Sequence, residues 1–249
     1  MIDLKGKTAL ITGGSRGIGA ACVELFGAAG AEVAFTYFKN ESAAKEIAGR
    51  TNGGVKYYRC DHSSEEENLS VVKKVTEDFG KIDVLVNNAG IWTYGAIGEM
   101  PLDVWKKLID LNLTGMFIIT NAVVPLMKKN GFGRIINISS TASQRGEAFH
   151  SHYAASKGAM NAFTKSLAAE IAKFNITVNA VAPGWVDTDM NDEVFAEPGF
   201  REKLEREIPV GRIATAEDIA GPALFLASEL GRHINGEILN VNGGSVLCG

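Results

Sequence analysis

The chain has 249 residues, of which 46% are hydrophobic and 22% are charged, and its formal net charge is −4. These values predict one globular α/β domain over residues 1–249, since no linker or composition shift divides the chain. They exclude a general electrostatic attraction to nucleic acid or to an anionic membrane surface. Three dispersed cysteines (Cys22, Cys60, Cys248) and four histidines have neither disulfide nor metal spacing, so we expect a reduced, cytoplasmic protein without a metal site.

Short β-branched apolar segments alternate with longer helical patterns along the chain. The predicted strands are 8–11, 33–36, 55–59, 82–86, 134–138, 177–181 and 237–241. The predicted helices are 17–28, 41–50, 65–79, 102–129, 153–173 and 216–226. Continuous apolar strands that alternate with helices are typical of a parallel sheet covered on both faces. The sequence therefore predicts a Rossmann-type, doubly wound sheet of about seven strands.

Two segments depart from this regular alternation. The apolar segment 111–127 is interrupted by Asn112, Thr120 and Pro125, which favours a buried helix over a membrane span. Segment 185–212 is long and rich in aspartate, and it contains prolines and glycines. Excursions of that length in a compact α/β chain are usually binding loops, so we expect a substrate lid there.

The first predicted strand leads into the glycine-rich turn Thr12–Gly19, with glycines at positions 13, 17 and 19. Glycines permit a tight turn in which backbone N–H groups approach an anion, and the following helix presents the positive end of its dipole. The position after the first strand indicates a dinucleotide-phosphate site. A tight strand–helix turn without a ligand is the alternative.

Tyr153 and Lys157 lie one helical turn apart, so their side chains share a face. A phenol has a pKa of about 10, and a nearby ammonium group favours the phenolate and lowers that value. Such a pair is able to exchange protons near neutral pH. On spacing alone, a pair on a solvated surface helix remains the alternative.

Six motifs in this order resemble those of the classical short-chain dehydrogenase/reductase family, over essentially the whole chain. They are Thr12-Gly-x-x-x-Gly-x-Gly19, Asn87-Asn88-Ala89-Gly90, Asn112, Ser140, Tyr153-x-x-x-Lys157 and Pro183-Gly184. Within that family the chain is most similar to the 3-oxoacyl-(acyl-carrier-protein) reductases. The resemblance implies an NAD(P)-dependent oxidoreductase that interconverts a carbonyl and a secondary alcohol.

The resemblance also implies the catalytic roles. Tyr153 would be the acid in reduction and the base in oxidation, and Lys157 would lower its pKa and hold the nicotinamide ribose. Ser140 would donate a hydrogen bond to the substrate oxygen, with the adjacent Ser139 as the competing assignment. Asn112 would interrupt its helix and hold a water molecule that relays protons to Lys157.

A nicotinamide dinucleotide is the implied cofactor. Its expected contacts are Gly13, Ser15, Arg16, Gly17, Ile18, Gly19, Tyr37, Lys39, Asp61, Asn88, Ala89, Gly90, Tyr153, Lys157, Pro183, Gly184 and Thr188. No carboxylate follows the second strand before Glu41, whereas Arg16 and Lys39 are placed to offset a 2′-phosphate. NADP(H) is therefore favoured over NAD(H).

The substrate is less well specified by the sequence. Trp92, Tyr94, Gln144 and Trp185 are the expected substrate contacts, with core or subunit packing as the alternative for one or two of the aromatic residues. His150 and His152 are expected on a surface loop, with a place in the pocket wall as the alternative. The substrate is expected to be a small carbonyl compound or an acyl thioester.

A carrier-protein partner and the assembly are also implied by the resemblance. Acyl-carrier-protein reductases carry surface arginines at positions that here are Gly131 and Phe174, although Lys128, Lys129 and Lys173 lie nearby. An acyl carrier protein is therefore one partner, and a free ketone, keto-ester, sugar or polyol is the competing substrate. A dinucleotide-binding regulator without catalysis is disfavoured because every catalytic position is filled. A homotetramer is expected through the long helices.

Overall fold

The computed structural model describes residues 2–52 and 54–247, and Cys248 lies outside the described residues. The strands are β1 (Thr8–Ile11), β2 (Glu32–Tyr37), β3 (Val55–Arg59), β4 (Val84–Asn87), β5 (Gly133–Ile138), β6 (Ile176–Pro183) and β7 (Ile238–Val241). The helices are α1 (Gly17–Ala28), α2 (Glu41–Arg50), α3 (Glu65–Phe79), α4 (Leu102–Ile109), α5 (Gly115–Asn130), α6 (Ala142–Arg145), α7 (Ser151–Ile171), α8 (Asp192–Phe195), α9 (Phe200–Glu207) and α10 (Ala216–Ala227).

The strands form one parallel sheet of seven in the order β3-β2-β1-β4-β5-β6-β7. This order confirms the predicted doubly wound sheet. The direction of winding reverses between β1 and β4, which is where such sheets open a ligand crevice at the carboxyl ends of the strands. The glycine turn and the Asn88–Gly90 segment both lie at that edge.

Helices cover both faces of the sheet because successive strand residues point to opposite sides. On one face, Val86 packs in a cluster with Phe26 of α1 and Ile219 of α10. On the other face, Leu85 packs with residues of α3, α5 and α7, including Ile119. Both clusters are made of buried, mutually packed side chains, which support the carboxyl edge of the sheet.

Three of the helices, α2, α3 and α10, begin at residues whose side chains cap them. The Asn40 side chain accepts from the Ala43 N–H at the start of α2, and Ser64 accepts from Glu67 N–H at the start of α3. Thr215 and Asp218 form a reciprocal capping box at the start of α10. These caps satisfy N–H groups that have no partner inside the helix.

The predicted helix 102–129 differs from the structure, which has two helices joined by a wide π-helical turn at Asp110–Thr114. The combined segment Leu102–Asn130 is long and apolar enough to cross a membrane by length and composition. Here Ile119, Val123 and Met127 are fully buried in the protein core, as predicted for a core helix. The π-helical turn places Asn112 beside the site.

Candidate active site

The turn after β5 and the first two turns of α7 bring the catalytic candidates together. The side chains of Ser140 and Tyr153 line the same cavity, and Ser140 acts to lower the pKa of the Tyr153 phenol. Ser139 is buried and its hydroxyl donates to Asn161 Oδ1 at 2.6 Å. Both serines line the cavity, but the Ser139 hydroxyl is engaged by Asn161, and Ser140 is the serine that acts on Tyr153.

Burial controls the protonation of Tyr153 and Lys157. It raises the pKa of Tyr153 to about 12, against the opposing hydrogen bond from Ser140, and it lowers the pKa of Lys157 to about 8. The Lys157 ammonium donates to the Ile138 carbonyl at 2.7 Å and lies 5.8 Å from the centroid of the Tyr153 ring. The phenol pKa is therefore raised rather than lowered, because burial, with a further contribution from the Glu147 carboxylate, exceeds the opposing effect of Ser140. Tyr153 is protonated at neutral pH.

Asn112 is fully buried and is bound to the loop that follows β4. Its Nδ2 donates to the Ile91 carbonyl and its Oδ1 accepts from the Ile91 N–H, both at 2.8 Å. The second amide hydrogen points toward Ser156 Oγ at 3.5 Å. The side chain thus fixes the position of Ile91 beside the cavity, and the proton relay stays a prediction.

The glycine turn is joined to the neighbouring strand end by Thr12 and Asn88. The Thr12 hydroxyl accepts from the N–H groups of Asn88 and Ala89, and Asn88 Nδ2 donates to the carbonyls of Thr12 and Gly13. Gly13 has a φ of 67°, a conformation that L side chains rarely adopt. A Cβ at Gly19 would overlap the Gly13 carbonyl oxygen, so this position accepts only glycine.

A groove runs from the glycine turn across the ends of the strands. The predicted cofactor residues that line it are Gly13, Ser15, Arg16, Gly17, Ile18, Tyr37, Lys39, Asp61, Asn88, Ala89, Gly90 and Thr188. A second cavity adjoins it and is lined by Ser140, Tyr153, Lys157, Pro183 and Gly184. Ile18, Asn88 and Thr188 line both spaces, so an extended ligand would pass from one into the other. Gly19 is packed beneath the turn and Asn112 behind the cavity wall.

The charged residues of the groove have distinct environments. Arg16 is exposed and its guanidinium lies 3.7 Å from the Asp189 carboxylate of the segment after β6. Lys39 lies at the mouth of the groove, with its ammonium 5.6 Å from the Phe38 ring centroid. A hydrogen bond from the Ser63 hydroxyl lowers the pKa of Asp61, which is therefore an ionised acceptor at this edge.

Two tryptophans form the wall of the second cavity. The rings of Trp92 and Trp185 meet edge to face at 6.2 Å, and His150 stacks on Trp92 at 4.2 Å. The Trp92 indole N–H donates to a Glu147 carboxylate oxygen at 3.2 Å. The cavity is therefore aromatic on one side, with its proton donors Ser140 and Tyr153 facing it.

Some expected substrate contacts lie elsewhere. Tyr94 is 65% exposed and stacks on Phe149, outside the cavity wall, and Gln144 does not line the cavity. Arg145 and Glu147, which sequence reasoning missed, do line it. The only sequence signal for them was their place in the segment between Ser140 and Tyr153.

The expectation of surface histidines is wrong for His152. Its side chain is fully buried and hydrogen-bonds to the Thr93 hydroxyl at 2.9 Å. His150 is half-buried and stacks on Trp92, but it does not itself line the cavity. Within residues 2–52 and 54–247, no group of three or more histidine, cysteine or acidic side chains is arranged to hold a metal ion.

Segment 185–212 packs on its own small apolar cluster above the cavity. Leu204, Ile208 and Ile213 form the cluster with the rings of Trp185 and Phe200. The Arg201 guanidinium lies 2.5 Å from the Asp187 carboxylate and joins α9 to the strand end. The segment therefore carries Trp185 into the cavity wall on a separately packed support.

Comparisons with known proteins agree with this geometry. A family model described as enoyl-(acyl carrier protein) reductase matches residues 13–245. An acetoacetyl-CoA reductase of Shinella zoogloeoides is 43% identical over 238 residues, which cover 96% of this chain and 98% of the relative. A 3-oxoacyl-[acyl-carrier-protein] reductase of Aquifex aeolicus (strain VF5) is 40% identical over 248 residues, which cover 98% of each chain. A Beutenbergia cavernae structure, provisionally assigned as an NAD(P)-dependent gluconate 5-dehydrogenase with NADP bound at low occupancy, has a TM-score of 0.92, is 35% identical and covers 98% of each chain.

Proposed function

The chain belongs to the short-chain dehydrogenase/reductase family, and from its site we propose that it is an NADP(H)-dependent oxidoreductase that reduces a carbonyl to a secondary alcohol. One observation carries the proposal. Ser140 and a partly buried, protonated Tyr153 line one cavity, with Lys157 one helical turn away, at the sheet edge that also holds the glycine turn. A non-catalytic regulator would have no need of this arrangement.

The residues of the groove fit a dinucleotide. Backbone N–H groups at the start of α1 and the dipole of that helix suit a pyrophosphate, and the absence of side chains at positions 13 and 19 lets the turn approach it. Asn88 and Thr188 would hold the middle of the molecule, where groove and cavity meet. When bound there, the nicotinamide supplies or accepts the hydride.

The protein's own residues supply the proton and the electrostatic stabilisation. Ser140 donates a hydrogen bond to the carbonyl oxygen and stabilises the negative charge that develops on it. Tyr153, whose pKa of about 12 keeps it protonated at neutral pH, donates its proton to the same oxygen. Lys157 is held by the Ile138 carbonyl at the inner end of the site, where its donors would orient ribose hydroxyls.

The preference for NADP(H) over NAD(H) is also a proposal. Arg16 and Lys39 line the groove beside the end of β2, and residues 36–40 carry no carboxylate. A carboxylate there would repel a 2′-phosphate, whereas two cations stabilise it. The NADP in the Beutenbergia cavernae relative supports this choice.

For the substrate, we propose a 3-oxoacyl thioester, supported by the names of the two enzyme relatives. A free hydroxy acid or polyol is the second candidate, because the gluconate dehydrogenase relative has the same fold and this cavity presents both Arg145 and Glu147. Gly131 and Phe174 stand where carrier-protein reductases have arginines, so a coenzyme A thioester is preferred to a carrier-protein thioester.

The organisation of the protein completes the proposal. Residues 1–249 form a single catalytic domain, and residues 185–212 act as its substrate lid. The long helices α5 and α7 would join subunits into a homotetramer, in keeping with the 48% exposure of Phe117 on α5. A cytoplasmic location accords with this chemistry and with the buried free thiols of Cys22 and Cys60.

The test is NADPH oxidation by the purified protein across acetoacetyl-CoA, an acetoacetyl carrier protein, free keto-esters and keto-sugars, with the reverse reaction on gluconate. The Tyr153→Phe variant should lose at least about 1000-fold in kcat because it removes the proton donor. Tyr94→Phe is the matched control, since that phenol lies outside the cavity. Retained turnover in Tyr153→Phe would refute the mechanism.

A further inference from the structure

We infer that His62 is a positioning residue for cofactor binding, which holds the Gly13 N–H of the glycine turn through the Thr36 hydroxyl. The inference rests on the proposed dinucleotide site. None of the six motifs contains His62 or Thr36, yet both line the groove. His62 is 7% exposed and Thr36 is fully buried.

A continuous chain of hydrogen bonds connects α3 to the glycine turn. Asn68 Oδ1 lies 2.7 Å from His62 Nδ1, and His62 Nε2 lies 2.7 Å from Thr36 Oγ1. The same hydroxyl oxygen accepts from Gly13 N–H at 2.9 Å. The next backbone N–H, that of Gly14, donates to the Thr36 carbonyl at 2.8 Å. The end of β2 therefore holds the turn twice, and one of these bonds depends on His62.

Asn68, at the α3 end of this series of hydrogen bonds, determines which atom donates and which accepts in each of them. Asn68 Nδ2 donates to the carbonyls of His62 and Ser64, so Asn68 Oδ1 is the atom that faces the imidazole. His62 Nδ1 must then carry a hydrogen, and in the neutral ring Nε2 is an acceptor. The Thr36 hydroxyl donates to Nε2, which leaves its lone pairs for Gly13.

The surroundings of the ring favour that neutral form. Burial lowers the pKa of His62, and the negative charges of Asp61 and Glu67 oppose this effect without reversing it. The Cys60 thiol is 4.0 Å from Nδ1, and burial raises its pKa to about 12, so it is uncharged. Gly115 of α5 packs directly on the His62 carbonyl and brings no charge.

The ring is therefore contacted by Thr36 of β2, by Asn68 of α3 and by Cys60, and its Nε2 is the atom that acts on the turn. A protonated ring would present a donor to Thr36 and leave the threonine proton without an acceptor. Thr36 Oγ1 would then accept from His62 Nε2, and the Gly13 N–H would compete with that imidazole donor for the same oxygen. We expect this to loosen the part of the turn that meets the pyrophosphate.

Two substitutions of His62 distinguish its contact with Thr36 from its contact with Asn68. In His62→Gln the side-chain oxygen replaces Nε2 as the acceptor for Thr36, whereas in His62→Asn the amide N–H replaces Nδ1 and the acceptor is lost. The probe is NADPH, and its Kd is measured by fluorescence titration of the purified protein alongside the Tm. His62→Asn should raise the Kd about fivefold or more, the equivalent of one hydrogen bond, and His62→Gln by less than about twofold.

Controls distinguish positioning from simple packing. His233 is exposed, so His233→Asn should leave Kd and Tm unchanged. Thr36→Val breaks the same link, and the double variant Thr36→Val/His62→Asn should bind no more weakly than the weaker of the two single variants. A lower Tm with unchanged Kd in both His62→Asn and Thr36→Val would overturn the inference.

The imidazole itself provides a readout that does not depend on these variants. ¹⁵N NMR of histidine-labelled wild-type protein at pH 7 should show His62 with a protonated Nδ1 and a bare Nε2. A charged ring or the opposite tautomer would overturn the inference. A wild-type protein that binds NADPH but reduces no carbonyl in the panel refutes the proposed reaction alone, whereas failure to bind NADPH refutes both.

Discussion

Replacing Lys157 by methionine should make the protein more stable while it abolishes turnover. Lys157 is 4% exposed, and burial lowers its pKa from 10.5 to about 8. That difference of about 2.5 pH units, at 1.36 kcal/mol per unit, means that keeping the ammonium charged in the folded protein costs about 3 kcal/mol. Methionine fills a similar volume without a charge.

One favourable contact is lost at the same time. The ammonium donates to the Ile138 carbonyl at 2.7 Å, and removing this hydrogen bond costs about 1 kcal/mol. The net gain for Lys157→Met at pH 7 is therefore about 2 kcal/mol in the free energy of unfolding. The gain should shrink as the pH rises from about 8 toward 10.5, because there the unfolded lysine is still protonated while the folded one has released its proton.

The assay is urea unfolding of both proteins at pH 7 and at pH 10. Lys165→Met is the matched control, because Lys165 lies on the same helix with its side chain exposed, and it should change stability by less than about 0.5 kcal/mol. The reasoning would be refuted if Lys157→Met were less stable than wild type at pH 7. It would also be refuted if the difference in the free energy of unfolding between the two proteins were the same at both pH values.

Three further predictions concern the cofactor and the partner. Lys39→Glu should lower kcat/KM for NADPH about tenfold and leave that for NADH unchanged, and equal losses with both would contradict a 2′-phosphate contact. Gly19→Ala should lower the free energy of unfolding by at least about 1 kcal/mol and weaken NADPH binding, because its Cβ overlaps the Gly13 carbonyl; a variant with wild-type Tm and Kd would contradict this. Reversing the charges of Lys128 and Lys173, which flank Phe174 at 5.0 and 5.3 Å, should raise KM for a carrier-protein thioester but not for the coenzyme A thioester; parallel changes would exclude a docking role.

The sheet and most helices follow from local sequence signals. The helices α1, α2 and α3 have the predicted limits because glycine, Asn40 and Ser64 mark their starts. The doubly wound parallel sheet could be predicted because alternating apolar strands and helices permit few topologies, whereas the strand order came from the structure. The sequence predicted that Asn112 would interrupt its helix but not that the interruption would be a π-helical turn at Asp110–Thr114. That turn is stabilised by the hydrogen bonds between Asn112 and Ile91, which is 21 residues away in the sequence.

The substrate end of the site was harder to predict because it depends on loop geometry. Phe149 has a φ of 63°, unusual for a residue with a side chain, and its ring draws Tyr94 away from the cavity. The four-residue helix α6 then turns Arg145, rather than Gln144, toward the cavity. Neither effect leaves a periodic signal in the sequence.

The protonation of Tyr153 and Lys157 shows why tertiary burial must be known before a proton transfer is argued from spacing. Spacing alone suggested that an ammonium beside Tyr153 would produce a phenolate. In the folded protein the pKa of Lys157 is about 8 and that of Tyr153 about 12, so as the pH rises the lysine loses its proton first. The positive charge that would favour a phenolate has therefore gone before the phenol ionises. The protein's own groups therefore keep Tyr153 protonated across the neutral range, as a donor of a proton to a carbonyl oxygen requires.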